Sequence, residues 1–278
     1  MKTVIYTTFY PSIMKYFNDF IDSINSQTLK NFKLFICLNG CKLSDKKKNK
    51  IKVEFELFSV NDTWQKARLK AIKKILKKDF QILYFADGDD KFDHKRLQKT
   101  IHLFKNYDFV VNELIIFGKK IKKKFKLLRS LKNKKKIRLK DIKDQNFVGC
   151  SNTAVKTTSL KKIIRKMNPK LIAFDWCMAT LLLMNRNRGI FTNETFTYYR
   201  QYNNNTSGVS DFSKKSIIND FNTKINHYKY FNSLKLDNKK KILILKEKLE
   251  KIKKDKYYFK TFLRDKKNIK NFWWAHVR

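Results

Sequence analysis

The chain has 278 residues with 65 Lys and Arg against 24 Asp and Glu, a formal charge of +41, while hydrophobic residues make up 42% and aromatics 14%. Those apolar fractions exclude a disordered polybasic tail, and the length suits one large domain or one domain with a small appendage. So lopsided a charge fits anionic partners such as nucleic acid, acidic lipid or phosphorylated substrates; drift of an AT-rich coding sequence toward Lys, Asn, Ile and Phe accounts for it equally well.

The opening "MKTVIYTTFYPSIMKYF" has no uninterrupted apolar run or small-residue cleavage site, so secretion is not expected. "TVIYTT" predicts a strand, and after Pro11-Ser12 the apolar residues Ile13, Phe17, Phe20, Ile21 and Ile24 recur at helical spacing. "KLFICL" and "VEFELF" predict two further strands. Trp64, Ala67, Ala71, Ile72 and Ile75 form a helical stripe between Thr63 and Lys78, followed by the strand "FQILYFA". This order predicts an α/β fold with a largely parallel sheet, whose ligands sit outside the carboxyl ends of its strands.

"YFADGDDKF" then places Asp87, Asp89 and Asp90 at such a strand end. Two carboxylates one residue apart offer hard oxygen ligands to a divalent cation that also contacts a diphosphate, and Gly88 suits the turn between them. Taken alone, an acidic Asp-Gly turn is as often a solvated loop. The segment from 119 to 144, "KKIKKKFKLLRSLKNKKKIRLKDIKD", is either a solvated insertion or a face for anionic membrane. "GCSNTAV" is either a small-residue loop permitting close approach by a ligand or an ordinary turn before a strand.

Asp175 interrupts "LIAFDWCMATLLLM", which is too short to span a membrane. A carboxylate between Phe174 and Trp176 is costly to bury, and burial raises its pKa, which is how a general base is tuned; the alternative is an N-cap for the helix that follows. The four cysteines, Cys37, Cys41, Cys150 and Cys177, are too scattered for a disulfide framework or a structural zinc site and are expected as core thiols of a reducing compartment. Past Gly208, "SIINDFNTKINHYKYF" and "KKKILILKEKLEKIKKDKYYFKTFL" predict helices with basic faces, and "NFWWAHVR" places Trp273 and Trp274 either at a membrane interface or in the core of a helical appendage.

Several stretches taken in order resemble the family 2 glycosyltransferases. "FIDSINSQTLKNFKLFICLNG" is similar to that family's first helix, "S-x-x-x-Q-T" turn and second strand. "NDTWQKARLKAIKKILKKDFQILYFADGDD" is similar to its path from an Asn through an Ala-Arg pair to D-x-D-D. "FDWCMATLLL" resembles the segment with the acceptor-activating acid, and "YYRQYNNNTSG" the "Y-R-x-H-x-x-N" region. The resemblance implies a GT-A (Rossmann-like) α/β fold, with a catalytic domain over 1–208 and a basic helical C-terminal extension over 209–278. It implies an inverting transferase using a nucleotide-sugar donor and Mn²⁺ or Mg²⁺.

On that register Asp175 is the catalytic base, Asp89 binds metal, and Asp87 binds metal or the nucleotide ribose, while Asp90 buttresses the turn. Thr7, Asn39, Asn61, Arg68 and Arg200 fall on the nucleotide-sugar side, and Gly149 and Trp176 on the acceptor side. Each has a plainer role beside this one. Thr7 also reads as a strand-end threonine, Arg68 as a surface helix cation, and Arg200 as the structural partner of an acidic neighbour. The chain departs from the pattern at Asn39, where the family has base-contacting acids, and at Tyr202, where it has His. Asp175 also stands alone where the family has an acidic pair.

The expected acceptor is a cell-envelope or surface glycan precursor, free or lipid-linked, and the expected location is cytoplasmic, either unattached or peripheral on the inner membrane face. A basic nucleic-acid-binding protein is the rival from another class, but it leaves the acidic cluster unexplained and no DNA- or RNA-binding signature is present. A nucleotidyltransferase leaves Asp175 without a task. An inactive relative of the glycosyltransferases is the remaining alternative.

Overall fold

The computed structural model describes residues 1–119, 121, 123–202, 213–267 and 272–277. In chain order, the first strands and helices are β1 (Thr3–Phe9), α1 (Phe17–Asn25), β2 (Lys33–Asn39), α2 (Asp45–Lys48), β3 (Phe55–Val60), α3 (Trp64–Leu76) and β4 (Ile82–Asp87). Within β1, Val4 and Tyr6 join the apolar cluster on one face of the sheet while Ile5 and Phe9 join the cluster on the other. Both faces are covered, which is why the strand reads as one continuous apolar run. Pro11 opens a 3-10 turn over Pro11–Tyr16 and α1 begins only at Phe17, so the helical stripe read from Ile13 belongs to two kinds of turn.

The second half contributes β5 (Lys91–Phe92), α4 (Arg96–Thr100), β6 (Phe109–Phe117), β7 (Phe125–Lys126), β8 (Lys136–Ile137), α5 (Leu139–Ile142), β9 (Thr153–Lys156), α6 (Thr157–Ile163), α7 (Phe174–Met184) and β10 (Gly189–Arg200). One sheet runs β3-β2-β1-β4-β9-β6-β10-β5, with β7 beside β6 and β8 beside β10. The four strands from β3 to β4 are parallel, as the sequence predicts. Beyond them β9 is inserted antiparallel to both β4 and β6, and β6 and β10 are again parallel. The basic stretch from 119 to 144 is not a free insertion, because its described residues add β7, β8 and α5 to this edge and bury Leu127, Leu128, Ile137 and Ile142.

Three helices follow, α8 (Lys214–Ser233), α9 (Lys239–Lys254) and α10 (Lys256–Lys267), and pack around Ile217, Phe221, Leu245, Leu249 and Ile252. They are not detached from the sheet, since Phe231, Phe272, Trp274 and Ala275 belong to the main core. The boundary expected at 208/209 and the end of "YYRQYNNNTSG" lie outside the described residues. All four cysteines are free, and Cys37, Cys150 and Cys177 are buried.

Candidate active site

Parallel pairing brings Thr8 of β1 level with Asp87, the last residue of β4, so the acidic turn sits at the carboxyl end of the sheet's central strands. Gly88 is required there for a reason other than the turn. Its φ is not in the left-handed region, but a Cβ would meet the Phe9 ring at 2.7 Å. The turn closes through the Asp90 N–H donating to the Asp87 carbonyl at 3.1 Å.

The end of β10 holds this turn from the far side. The Arg200 N–H donates to Asp90 Oδ1 at 2.8 Å, its Nε to the Asp89 carbonyl at 2.6 Å, and its Nη2 to Asp19 Oδ2 at 2.7 Å. Arg200 therefore ties α1, the acidic turn and β10 together, with its guanidinium between the rings of Tyr16 and Phe117. Asp90 is fully buried beneath it, and burial, with Asp89 adding to it, holds its carboxyl well above the usual range.

Asp87 and Asp89 face the cavity. Asp87 Oδ1 accepts from Arg68 Nη2 at 2.7 Å, and the other arm of that guanidinium lies 2.9 Å from Cys150 Sγ. Arg68 is delivered by α3 and sits over the rings of Trp64 and Phe174, which makes it a fixed group of the cleft instead of a solvated helix cation. The Tyr202 hydroxyl donates to Asp89 Oδ2 at 2.7 Å. Burial, then the charge of Asp87, pushes the Asp89 carboxyl up to about 6, and the Tyr202 hydrogen bond works against that rise.

Asp175 enters the same cavity from α7. That helix starts at Phe174 with Ala173 as its N-cap, so Asp175 lies inside the first turn and is not the cap. Its Oδ1 accepts from the Trp176 N–H at 2.6 Å and from Asn146 Nδ2 at 3.3 Å. Burial pushes its carboxyl up to about 6, against the pull of the Trp176 N–H and of Arg68. The cavity that collects Asp87, Asp89, Arg68 and Asp175 has a volume of about 160 Å³.

Other expected residues lie elsewhere. Thr7 is buried on the opposite face of β1, without a hydrogen-bond partner among the described residues, and its neighbour Thr8 lines the cavity. Asn39 ends β2 and exchanges hydrogen bonds of 2.9 and 3.0 Å with the backbone of Asp62, which positions the loop before α3. Asn61 is exposed in that loop, near Gly40. Gly149 does line the cavity. Trp176 does not: its Nε1 donates to the Ile142 carbonyl at 2.7 Å, and its ring stacks between His227 and Trp274. The sequence reading missed Thr8, Tyr10, Trp64, Tyr199 and Trp273 as lining residues, while Cys150 belongs to the small-residue loop it offered.

Among the described residues no three His, Cys, Asp or Glu side chains come together as a metal site. The pair fits a divalent cation on another ground: both carboxylates line one cavity, and the charge of Asp87 raises the pKa of Asp89, a repulsion that a cation would relieve.

A sequence model described as glycosyl transferase family 2 matches residues 5–164. No curated protein sequence matches at a significant level. Among solved structures, S. aureus TarS residues 1–349 in complex with UDP-GlcNAc is 15% identical with a TM-score of 0.58, covering 81% of this chain and 66% of that one. The mannosyltransferase PcManGT from Pyrobaculum calidifontis in complex with GDP-Man and Mn²⁺ is 12% identical with a TM-score of 0.58, covering 95% and 73%. GalNAc-T7 with UDP, GalNAc and Mn²⁺ is 10% identical with a TM-score of 0.57, covering 73% and 44%. At such identities the likeness shows the fold, which is that of GT-A glycosyltransferases, and the chain spans just under two thirds of that TarS chain.

Proposed function

The chain belongs to glycosyl transferase family 2, and from that premise we propose that it moves a sugar from a nucleotide-sugar donor to an acceptor hydroxyl with inversion at the anomeric carbon. The observation that supports this best is the convergence of Asp87, Asp89, Arg68 and Asp175 on one cavity at the carboxyl end of parallel strands.

In this reading Asp175 accepts the proton of the acceptor hydroxyl as that oxygen attacks the anomeric carbon, opposite the departing diphosphate. A carboxylate lifted to about 6 is still ionised at neutral pH and is a stronger base than an ordinary one. The Trp176 N–H and Asn146 orient it. Asp89 and Asp87 would hold Mn²⁺ or Mg²⁺, whose charge offsets that gathering on the leaving nucleoside diphosphate. Arg68, already paired with Asp87, lies where it can meet a phosphate oxygen, and Tyr202 keeps Asp89 turned inward. Arg200 serves by holding the turn in place.

A thermal-shift screen against UDP-, GDP-, dTDP- and CMP-linked sugars, each with and without Mn²⁺, tests the donor side, because a ligand of the native state raises the melting temperature. The expected result is a metal-dependent rise with one nucleotide. No rise with any, together with salt-sensitive RNA or DNA binding, would transfer the case to the nucleic-acid reading.

The acceptor side extends to an anionic membrane carrying a glycan precursor. No helix among the described residues is long and apolar enough to cross a membrane. Yet α9 exposes Leu243 (59%) and Ile244 (38%) among Lys239, Lys240, Lys246 and the acid Glu247. Apolar residues ringed by lysines suit an acidic lipid surface. Leu243→Asn with Ile244→Asn should cut sedimentation with phosphatidylglycerol vesicles several-fold; unchanged sedimentation moves the contact elsewhere.

A further inference from the structure

Residues 272–277 lie outside the stretch matched by the family model, yet they form part of the cavity wall. Lys224 of α8 is buried to 2% exposure, and its ammonium donates to the carbonyls of Asp144, Trp274 and Val277. These carbonyl contacts tie the 272–277 segment to α8 and to the end of the basic stretch at Asp144. Trp273 then pairs with Asn146 as a bridge, with N–H to carbonyl distances of 2.9 and 3.0 Å. Asn146 is the residue whose side chain reaches Asp175.

The indole is therefore held in the wall of the cavity that Asp175 also lines. Its edge packs 2.8 Å from where a Cβ would stand at Gly149, so the absence of a side chain there is what admits it. Tyr199 meets it edge to face at 5.8 Å. Its Nε1–H is buried and has no hydrogen-bond partner among the described residues. An orphaned donor of this kind carries a desolvation cost until an oxygen takes it.

We propose that Trp273 is the acceptor-recognition residue of this site, packing against the apolar face of a pyranose ring whose hydroxyl is presented to Asp175. Large aromatic surface with one polar handle suits a ligand that is apolar on its faces and polar at its rim. The assignment rests on the glycosyl-transfer reading. Asn146 and Lys224 are positioning residues for it.

The test uses the full chain with Mg²⁺ and whichever nucleotide sugar raises its melting temperature. Methyl glycosides of glucose, galactose, mannose and N-acetylglucosamine are the probes, followed by saturation-transfer NMR. Wild type is expected to pass saturation to at least one glycoside, Trp273→Phe to retain part of it, and Trp273→Ala to lose it at least five-fold while the donor shift persists. Gly149→Ala, which displaces the indole without removing it, is expected to weaken the same signal and covers the case of a poorly folding alanine variant. Equal saturation in wild type and Trp273→Ala overturns the assignment. So does a donor shift in wild type with no glycoside signal, or loss of the donor shift in Trp273→Ala. A wild type without any donor shift instead brings down the glycosyl-transfer reading, and this assignment falls with it.

Discussion

Asp175→Asn is expected to lower sugar transfer by a factor on the order of 10²–10⁴, the usual contribution of a positioned general base, while leaving donor binding in place. The amide preserves shape and can still accept from the Trp176 N–H, so helix α7 keeps its first turn. It cannot accept the acceptor's proton. The pH dependence carries the same signature: transfer by the wild type should rise as pH increases through about 6, where Asp175 loses its proton, and level off above 7. Asp89 titrates in the same range in the free protein, so the profile is to be measured with donor and metal saturating. A variant that transfers at the wild-type rate would remove Asp175 from the mechanism.

Asp89→Ala should abolish the metal-dependent part of donor binding. At a ligand concentration of roughly 100 times Kd, binding to the native state is worth about 2.7 kcal/mol. For a chain of this size that corresponds to roughly 5 °C of melting temperature, all of which the variant should forfeit. Its ligand-free melting temperature is expected to hold or rise, because the wild-type carboxylate is half-buried beside Asp87 and costs folding free energy when ionised. A residue present only for structure would give the reverse pattern, a lower ligand-free melting temperature with the donor shift intact.

That cost has a direction in pH. Asp89 and Asp175 each titrate near 6 in the folded chain against an ordinary value of 3.8, so between those values the native state binds protons that the unfolded state has released. The stability this confers is complete below about 4 and is lost as pH rises through about 6.

The half of the fold from β1 to β4 was legible because β1, β2 and β4 are covered on both faces and helices α1 and α3 each carry an apolar stripe. The antiparallel insertion of β9 was not. Its four residues carry no period of their own, and their place is set by pairing with β4 and β6. At the site, local spacing and the family resemblance led to Asp87, Asp89, Arg68 and Asp175, which the structure brings to one cavity. Thr7 was a one-residue miss, since alternation along a strand sends Thr8 to the cavity face and Thr7 to the other. Trp176 was expected on the acceptor side, and Trp273 either at a membrane interface or in the core of a helical appendage. Both are tryptophans in apolar surroundings, and only long-range packing decides that the first is stacked in the core while the second reaches the cavity.

The bridge between Asn146 and Trp273 also orders events in time. Chains emerge from the ribosome N-terminus first, at about 5–20 residues per second, and the parallel strands that carry the carboxylates come early. Trp273, which lines the same cavity, follows the acidic turn by about 180 residues. A nascent chain can therefore assemble the acidic turn long before it can close the cavity around it, and the enclosure completes only when synthesis has passed residue 273.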